Sequence, residues 1–282
     1  VRIVAINPVR GPIVEQADDW VQINPGTDAA LGLAMINYII QEEIYDKEFV
    51  ANHTSGFDEL VAHVRSNTPE WAAPITGLSE QTIKDLARSY AETKAAAICD
   101  GNGLDMYANG VDAVRTVAIL IGLTGKFDAP GGNVFLPFIK QSVLPTDPVP
   151  IEERVWYKTF PLFPELPFVA VKESILADED YRPRALIVNR SNPVLINANE
   201  TRTRQALEKL DFLMVSDIFR TATAEMADLV LPMASDFETY GYRAYQSFEG
   251  AFLAMARPVA EPLEGTRPAF EVEYELAKRM GL

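Results

Sequence analysis

Short apolar runs alternate along the chain with longer stretches whose apolar residues recur at helical spacing, and turn residues mark most changes. Residues 3–6 form one run, ending at Asn7-Pro8, and residues 20–23 another, ending at Asn24-Pro25-Gly26. Thr27-Asp28 then opens a strongly apolar helix over 29–40. Further helices are predicted over 46–51, 57–65 and 79–93, the last led by Ser79 with an acid in its first turn, as capping and the helix dipole favour. Residues 95–99 read as a strand, Gly101-Asn-Gly103 as a turn, and 111–121 as a helix. Such alternation predicts parallel sheets covered by helices.

The alternation stops between 137 and 167. Pro145, Pro148, Pro150, Pro161, Pro164 and Pro167 deny that stretch a regular ladder, so it is expected to be an extended connector. It resumes with strands over 185–188, 212–216 and 228–231, a helix over 200–210, a short hairpin over 242–256 and a terminal helix over 269–280. The expected architecture is α/β, with two doubly wound, mostly parallel-sheet lobes at 1–140 and 141–282.

A displacement of 210 residues lays residues 1–28 over 211–238 without a gap. Arg10 meets Arg220, Glu15 meets Glu225, and Ala17-Asp18 meets Ala227-Asp228, while Asn7 meets Asp217 and Asp28 meets Glu238. The identities are few. The matched polar residues fall at predicted strand ends, however, where open α/β sheets bind ligands; either these are two ordinary α/β units, each with an acid at a loop, or the lobes are related and hold similar, nucleotide-like ligands.

Composition narrows the partners. With 25 basic and 40 acidic side chains the formal net charge is −15, which disfavours nucleic acid and anionic membranes. Any phosphate must be held locally, by helix N-termini, backbone N–H groups and a few arginines. No apolar stretch is long enough for a membrane span, and the chain opens on Val1-Arg-Ile-Val-Ala-Ile6, within a predicted strand, so a fragment is expected. The single cysteine, Cys99, is expected in a buried strand, and His53 and His63 on the surface. No G-x-G-x-x-G follows a strand, and neither a P-loop nor an H-E-x-x-H occurs. No residue of this chain is expected to act as a nucleophile, catalytic acid or metal ligand.

Asn7 and Asp217 each end a strand, where an amide or carboxylate can accept from the N–H groups of a guanine edge. Asp28, at a helix start, suits a guanine or a ribose hydroxyl, or simply caps the helix. Arg10 and Arg220 are placed to offset pyrophosphate charge.

Asp217-Ile-Phe-Arg-Thr-Ala-Thr-Ala224, continuing to Ala227-Asp-Leu-Val-Leu-Pro232, resembles the molybdopterin oxidoreductase family of formate dehydrogenases and nitrate, sulfoxide and polysulfide reductases. Pro25-Gly-Thr-Asp-Ala-Ala-Leu31, Tyr45-Asp-Lys-Glu-Phe-Val50, Ile75-Thr-Gly77 and Leu123-Thr-Gly-Lys-Phe-Asp-Ala-Pro-Gly-Gly132 are similar to other segments of that family, in the same order. The resemblance implies two copies of a pterin guanine dinucleotide around molybdenum or tungsten, one guanine tail per lobe. By position, Asn7, Gly26, Thr27 and Asp28 would hold one tail, and Asn192, Asp217 and Thr221 the other, with Glu238 a further candidate. Gly101, Asn102 and Gly103 would approach the pterin. Asn7-Pro8-Val9 departs from the family's aspartate-proline-arginine, with Arg10 one place late.

The family's metal ligand, its iron–sulfur segment and its C-terminal domain would fall outside this chain, whose own cradles would then stand empty. The expected partners are those segments and electron-transfer subunits. The alternative is a cofactor-free scaffold, as in the large iron–sulfur subunit of respiratory complex I; Asp28 and Asp217 at both cradles favour the cofactor.

Overall fold

The computed structural model describes residues 1–134, 167–177, 182–245 and 250–281, and most of the expected proline-rich connector lies outside them. The chain divides into two compact units, Val1–Phe135 and Leu136–Leu282.

In the first unit, strands β1 (Val4–Ile6) and β2 (Asp19–Val21) pair in parallel around α1 (Pro12–Gln16). The helices α2 (Asp28–Gln41), α3 (Lys47–His53), α4 (Phe57–Val64), α5 (Pro69–Thr76), α6 (Glu80–Glu92), α7 (Asn102–Asp105) and α8 (Gly110–Leu123) follow. Helix α2 is apolar on nearly every face, a pattern that fits only a central helix. It packs against α5, α6 and α8, and Ile36 and Ile39 are wholly buried. Its crossing with α8 is so close that a Cβ on Gly32 would sit 2.1 Å from Thr116 Oγ1.

Three expectations fail here. Residues 95–99 are not a strand: among the described residues no strand pairs with them. Instead the side-chain amide of Asn133 donates to Ile98 O at 2.8 Å and accepts from Ile98 N–H at 3.0 Å, doing locally what a neighbouring strand would do. With no strand covering it, Cys99 is exposed rather than buried. The predicted turn Gly101-Asn-Gly103 opens α7, with Gly101 extended as its N-cap. In this unit α1 and α5 also went unpredicted. Each begins with a proline at its first position, where the missing N–H costs nothing, and both are short.

In the second unit, α9 (Phe168–Leu176) precedes a parallel sheet of β3 (Ala185–Asn189), β4 (Phe212–Asp217) and β5 (Leu229–Pro232), in consecutive order. Helices α10 (Pro193–Ile196) and α11 (Glu200–Glu208) connect β3 to β4, and a single 3-10 turn, Ala224–Met226, precedes β5. Central β4 carries the core, with Leu213 and Val215 buried against Val188, Val194, Leu207 and Ala224. The edge strands keep Ile187, Leu229 and Val230 exposed. Strands β6 (Gly241–Tyr245) and β7 (Phe252–Ala256) form the expected antiparallel pair, and α12 spans Ala269–Met280, as predicted. The fold is therefore α/β with mostly parallel sheets.

Candidate functional site

In the first unit, both chain segments that leave the carboxyl ends of β1 and β2 carry predicted residues. Asn7 ends β1, and its Oδ1 accepts from Val9 N–H at 3.2 Å, closing a tight turn. The loop is strapped to β2: Trp20 Nε1–H donates to Asn7 O at 2.9 Å, and Gln22 Nε2–H to Pro8 O at 3.1 Å. After β2, Asn24 N–H donates to Thr76 O and its side-chain amide to Ile75 O, which anchors the turn leading to α2.

Gly26 has φ +75, and a Cβ there would touch the Tyr107 ring at 3.0 Å. Asn109 Nδ2–H donates to Gly26 O at 3.1 Å, so the loop after α7 lies against this turn. Thr27 is the N-cap of α2 but does not cap it, because its hydroxyl donates to Asn24 O at 2.7 Å. Asp28 is the first helical residue. Half-burial raises its carboxyl above the ordinary range, and its own backbone N–H offsets part of that. Thr27 thus gives α2 no side-chain cap; Ala30 N–H donates to Thr27 O, and the N-terminal end of the helix keeps the positive pole that suits an anion.

Arg10 is exposed on the β1 loop. Gly101, Asn102 and Gly103 are also exposed, and nothing lies within 4 Å of a Cβ built on either glycine. Their small size serves no contact among the described residues.

In the second unit, three adjacent loops at the carboxyl edge of β3, β4 and β5 carry the predicted residues. Asp217 ends β4, half-buried, with Oδ1 accepting from Phe219 N–H at 2.9 Å. Thr221 Oγ1 accepts from Ala224 N–H and holds the following turn. Asn192, after β3, is committed internally. Its Oδ1 accepts from Thr223 Oγ1 at 2.7 Å and from Thr223 N–H at 3.3 Å, and that hydroxyl oxygen accepts from Val194 N–H. Glu238, after β5, is committed as well. Its two oxygens accept from Ser235 N–H at 2.7 Å and Leu263 N–H at 3.1 Å, and those donors, Ser235 first, hold its carboxyl below the ordinary range. Arg220, three residues after Asp217, is exposed.

Sequence reasoning missed two residues here. Arg190 has φ +51, a conformation that costs a side-chain-bearing residue about 1 kcal/mol. It reaches from the end of β3 to Asp236 beyond β5, 3.2 Å away. Only the backbone angle reveals it. Thr223, wholly buried, is the hub that joins the β3 and β4 loops, and nothing in the sequence separates it from Thr221.

The displacement of 210 holds bond by bond. Val4 pairs with Asp19 and Met214 with Leu229, the same register in both units. Asp18 N–H donates to Ile3 O, and Asp228 N–H to Leu213 O, both at 2.9 Å. Glu15 N–H donates to Gly11 O as Glu225 N–H does to Thr221 O, and Ala17 to Val14 as Ala227 to Ala224. The turns at Asn7 and Asp217 correspond too. Asp28 and Glu238 do not, since only Glu238 is clasped by backbone N–H groups of its neighbouring loops.

Among the described residues, no group of three or more His, Cys, Asp or Glu side chains gathers to hold a metal, and no helix is long and apolar enough to cross a membrane. The family model described as "Molybdopterin oxidoreductase" matches residues 1–279. The F420-dependent formate dehydrogenase subunit alpha of Methanocaldococcus jannaschii is 34% identical over 83% of this chain and 37% of its own. Formate dehydrogenase H of Escherichia coli is 31% identical over 99% of this chain and 41% of its own. The solved acetylene hydratase of Pelobacter acetylenicus superposes with a TM-score of 0.86 at 27% identity, covering all of this chain and 43% of its own. The chain thus spans about 40% of the length of such relatives.

Proposed function

We propose that this chain, which belongs to the molybdopterin oxidoreductase family, supplies two related cradles, each for one guanine dinucleotide tail of the pterin cofactor. The observation that carries this reading is the bond-by-bond repeat. Two parallel strand pairs in the same register each end in a half-buried polar side chain held by the same tight turn. In the first unit Asn7, Asp28 and the uncapped start of α2 would hold base, ribose and pyrophosphate. In the second, Asp217 would take the base, while Arg190 and Arg220 would meet the pyrophosphate. Asn192, Thr221 and Glu238 serve this site by fixing the loops, because their acceptors already have donors within the protein. The residues present fit such a group: among the described residues Asp217 Oδ2 has no hydrogen-bond partner, and a half-buried lone acceptor of this kind suits a donor-rich base.

The bound pterin and its molybdenum or tungsten would supply the electron transfer, and the protein would supply position. For the whole protein we infer two-electron oxidation or reduction of a small substrate. The formate dehydrogenase relatives support this, whereas a hydratase among the structural relatives shows that the fold alone does not set the reaction. Further segments of the enzyme and electron-transfer subunits would complete it.

The test is cofactor content. Asp217→Ala and Asp28→Ala in the full-length protein should each lower pterin and metal per polypeptide while leaving the fold intact. Unchanged content in both would remove these residues from the cradles.

A further inference from the structure

The turns at Asn7 and Asp217 match in backbone, and their leading side chains differ in one atom, an amide nitrogen in place of a carboxylate oxygen. Val9 N–H donates to Asn7 Oδ1 at 3.2 Å, which fixes the amide orientation, because a flipped amide would set two donors against each other. Asn7 therefore presents its Nδ2–H₂ group outward, with one lone pair of Oδ1 still available. At the corresponding place Phe219 N–H donates to Asp217 Oδ1, and Asp217 presents Oδ2 together with the spare lone pair of Oδ1. Among the described residues neither Asn7 Nδ2 nor Asp217 Oδ2 has a hydrogen-bond partner. Both side chains are half-buried at the carboxyl ends of matching strands.

Opposite hydrogen-bond polarity selects different bases. A carboxylate is all acceptor, and it matches the N1–H and N2–H₂ donors of guanine, a pair that hypoxanthine and adenine lack. An amide offers one donor and one acceptor. It matches O6 with N1–H, which guanine and hypoxanthine share, and equally N1 with N6–H₂ of adenine. We infer that Asn7 makes the first cradle tolerant of the purine base, while Asp217 makes the second selective for guanine. This rests on the reading that both units hold nucleotide tails.

The test uses the whole chain, isotopically labelled and titrated with guanosine, inosine and adenosine diphosphates. The backbone amides of Val9 and Phe219, which donate to the two selecting side chains, report each cradle separately by NMR. Trp20, bonded to Asn7 O, gives a fluorescence check on the first. Phe219 should respond to guanosine diphosphate at concentrations on the order of tenfold lower than to inosine diphosphate, and lower still than to adenosine diphosphate. Val9 should respond to all three within a few-fold. Asn7→Asp should confer the guanine preference on Val9, and Asp217→Asn should erase it at Phe219, with the remaining amide spectrum unchanged in both variants. A wild-type Val9 response as selective as that of Phe219, or one whose ranking survives Asn7→Asp, would overturn the inference and leave the cradles standing. Silence of both amides toward every nucleotide at millimolar concentration would overturn the cradles and the inference together.

Discussion

Asp18 and Asp228 perform the same task 210 residues apart: each carboxylate accepts the backbone N–H at the head of its strand pair, Ile3 or Leu213, at 2.7 Å. Each also donates its own N–H to the carbonyl of that residue, closing a two-bond clasp. The two clasps differ in surroundings, since Leu213 is 2% exposed and Ile3 41%. A donor left unsatisfied in a dry setting costs about 1–3 kcal/mol, and water relieves most of that at an exposed one. Asp228→Ala should therefore cost the second unit about 1–3 kcal/mol, and Asp18→Ala clearly less. Hydrogen exchange at Leu213 and Ile3 reads both effects, and equal losses would contradict the argument.

Gly26 should resist substitution for two separate reasons. Its φ of +75 strains any residue with a Cβ by about 1 kcal/mol, and that atom would press on the Tyr107 ring. Gly26→Ala should lower the first unit's melting temperature. Adding Tyr107→Ala should recover only the steric part, so a complete rescue would show that the backbone angle is unimportant.

Loop-fixing and ligand-facing residues should separate under mutation. Asn192→Ala leaves the buried Thr223 N–H without its acceptor and should cost about 1–3 kcal/mol, whereas half-buried Asp217→Ala should cost under about 1 kcal/mol. Denaturant unfolding of the two variants compares them directly.

At Arg190 the opposing effects nearly cancel in stability. Arg190→Gly relieves about 1 kcal/mol of backbone strain and loses a solvent-exposed ion pair with Asp236 worth at most about 1 kcal/mol. Stability should stay nearly constant while guanosine diphosphate binding weakens on the order of tenfold, as for loss of one charged hydrogen bond. Binding unchanged by the substitution would remove Arg190 from the pyrophosphate site.

Acid should loosen the first unit in a defined window. The Lys84 ammonium, donating to Glu70 at 2.9 Å, holds that carboxyl down at about 2 against an ordinary 4.5. A depressed folded-state value means that stabilisation is present above pH 4.5 and is lost as pH falls toward 2. Lys84→Met should flatten the acid dependence over that interval, by a modest amount because the pair is solvent-exposed. Asp28 works in the opposite sense. Its raised carboxyl makes protonation favourable to the folded state, so falling pH relieves its burial even as the charge offered to a ligand disappears.

Periodicity and punctuation made most of the fold legible. The terminal helix Ala269–Met280, the strand pairs around Asn7 and Asp217, and the repeat that relates them all follow from local pattern, because alternation and turn residues act over a few neighbours. The polar residues at strand ends were legible for the same reason. Residues 95–99 were not, because an apolar run becomes a strand only when another strand pairs with it. Here Asn133, 35 residues away, satisfies Ile98 instead and leaves Cys99 exposed.

The sequence alone thus determined the α/β class, the family and the two families of candidate residues, since each is written in residue type and spacing. Only the tertiary structure decided which candidates remain available. It committed Asn192 to Thr223 and Glu238 to the backbone, left Asp217 Oδ2 without a hydrogen-bond partner among the described residues, and placed Arg190 at φ +51 with its N–H on Ser216 O. A side chain's free valence depends on partners brought close by folding, which no residue carries in its own identity or in that of its neighbours.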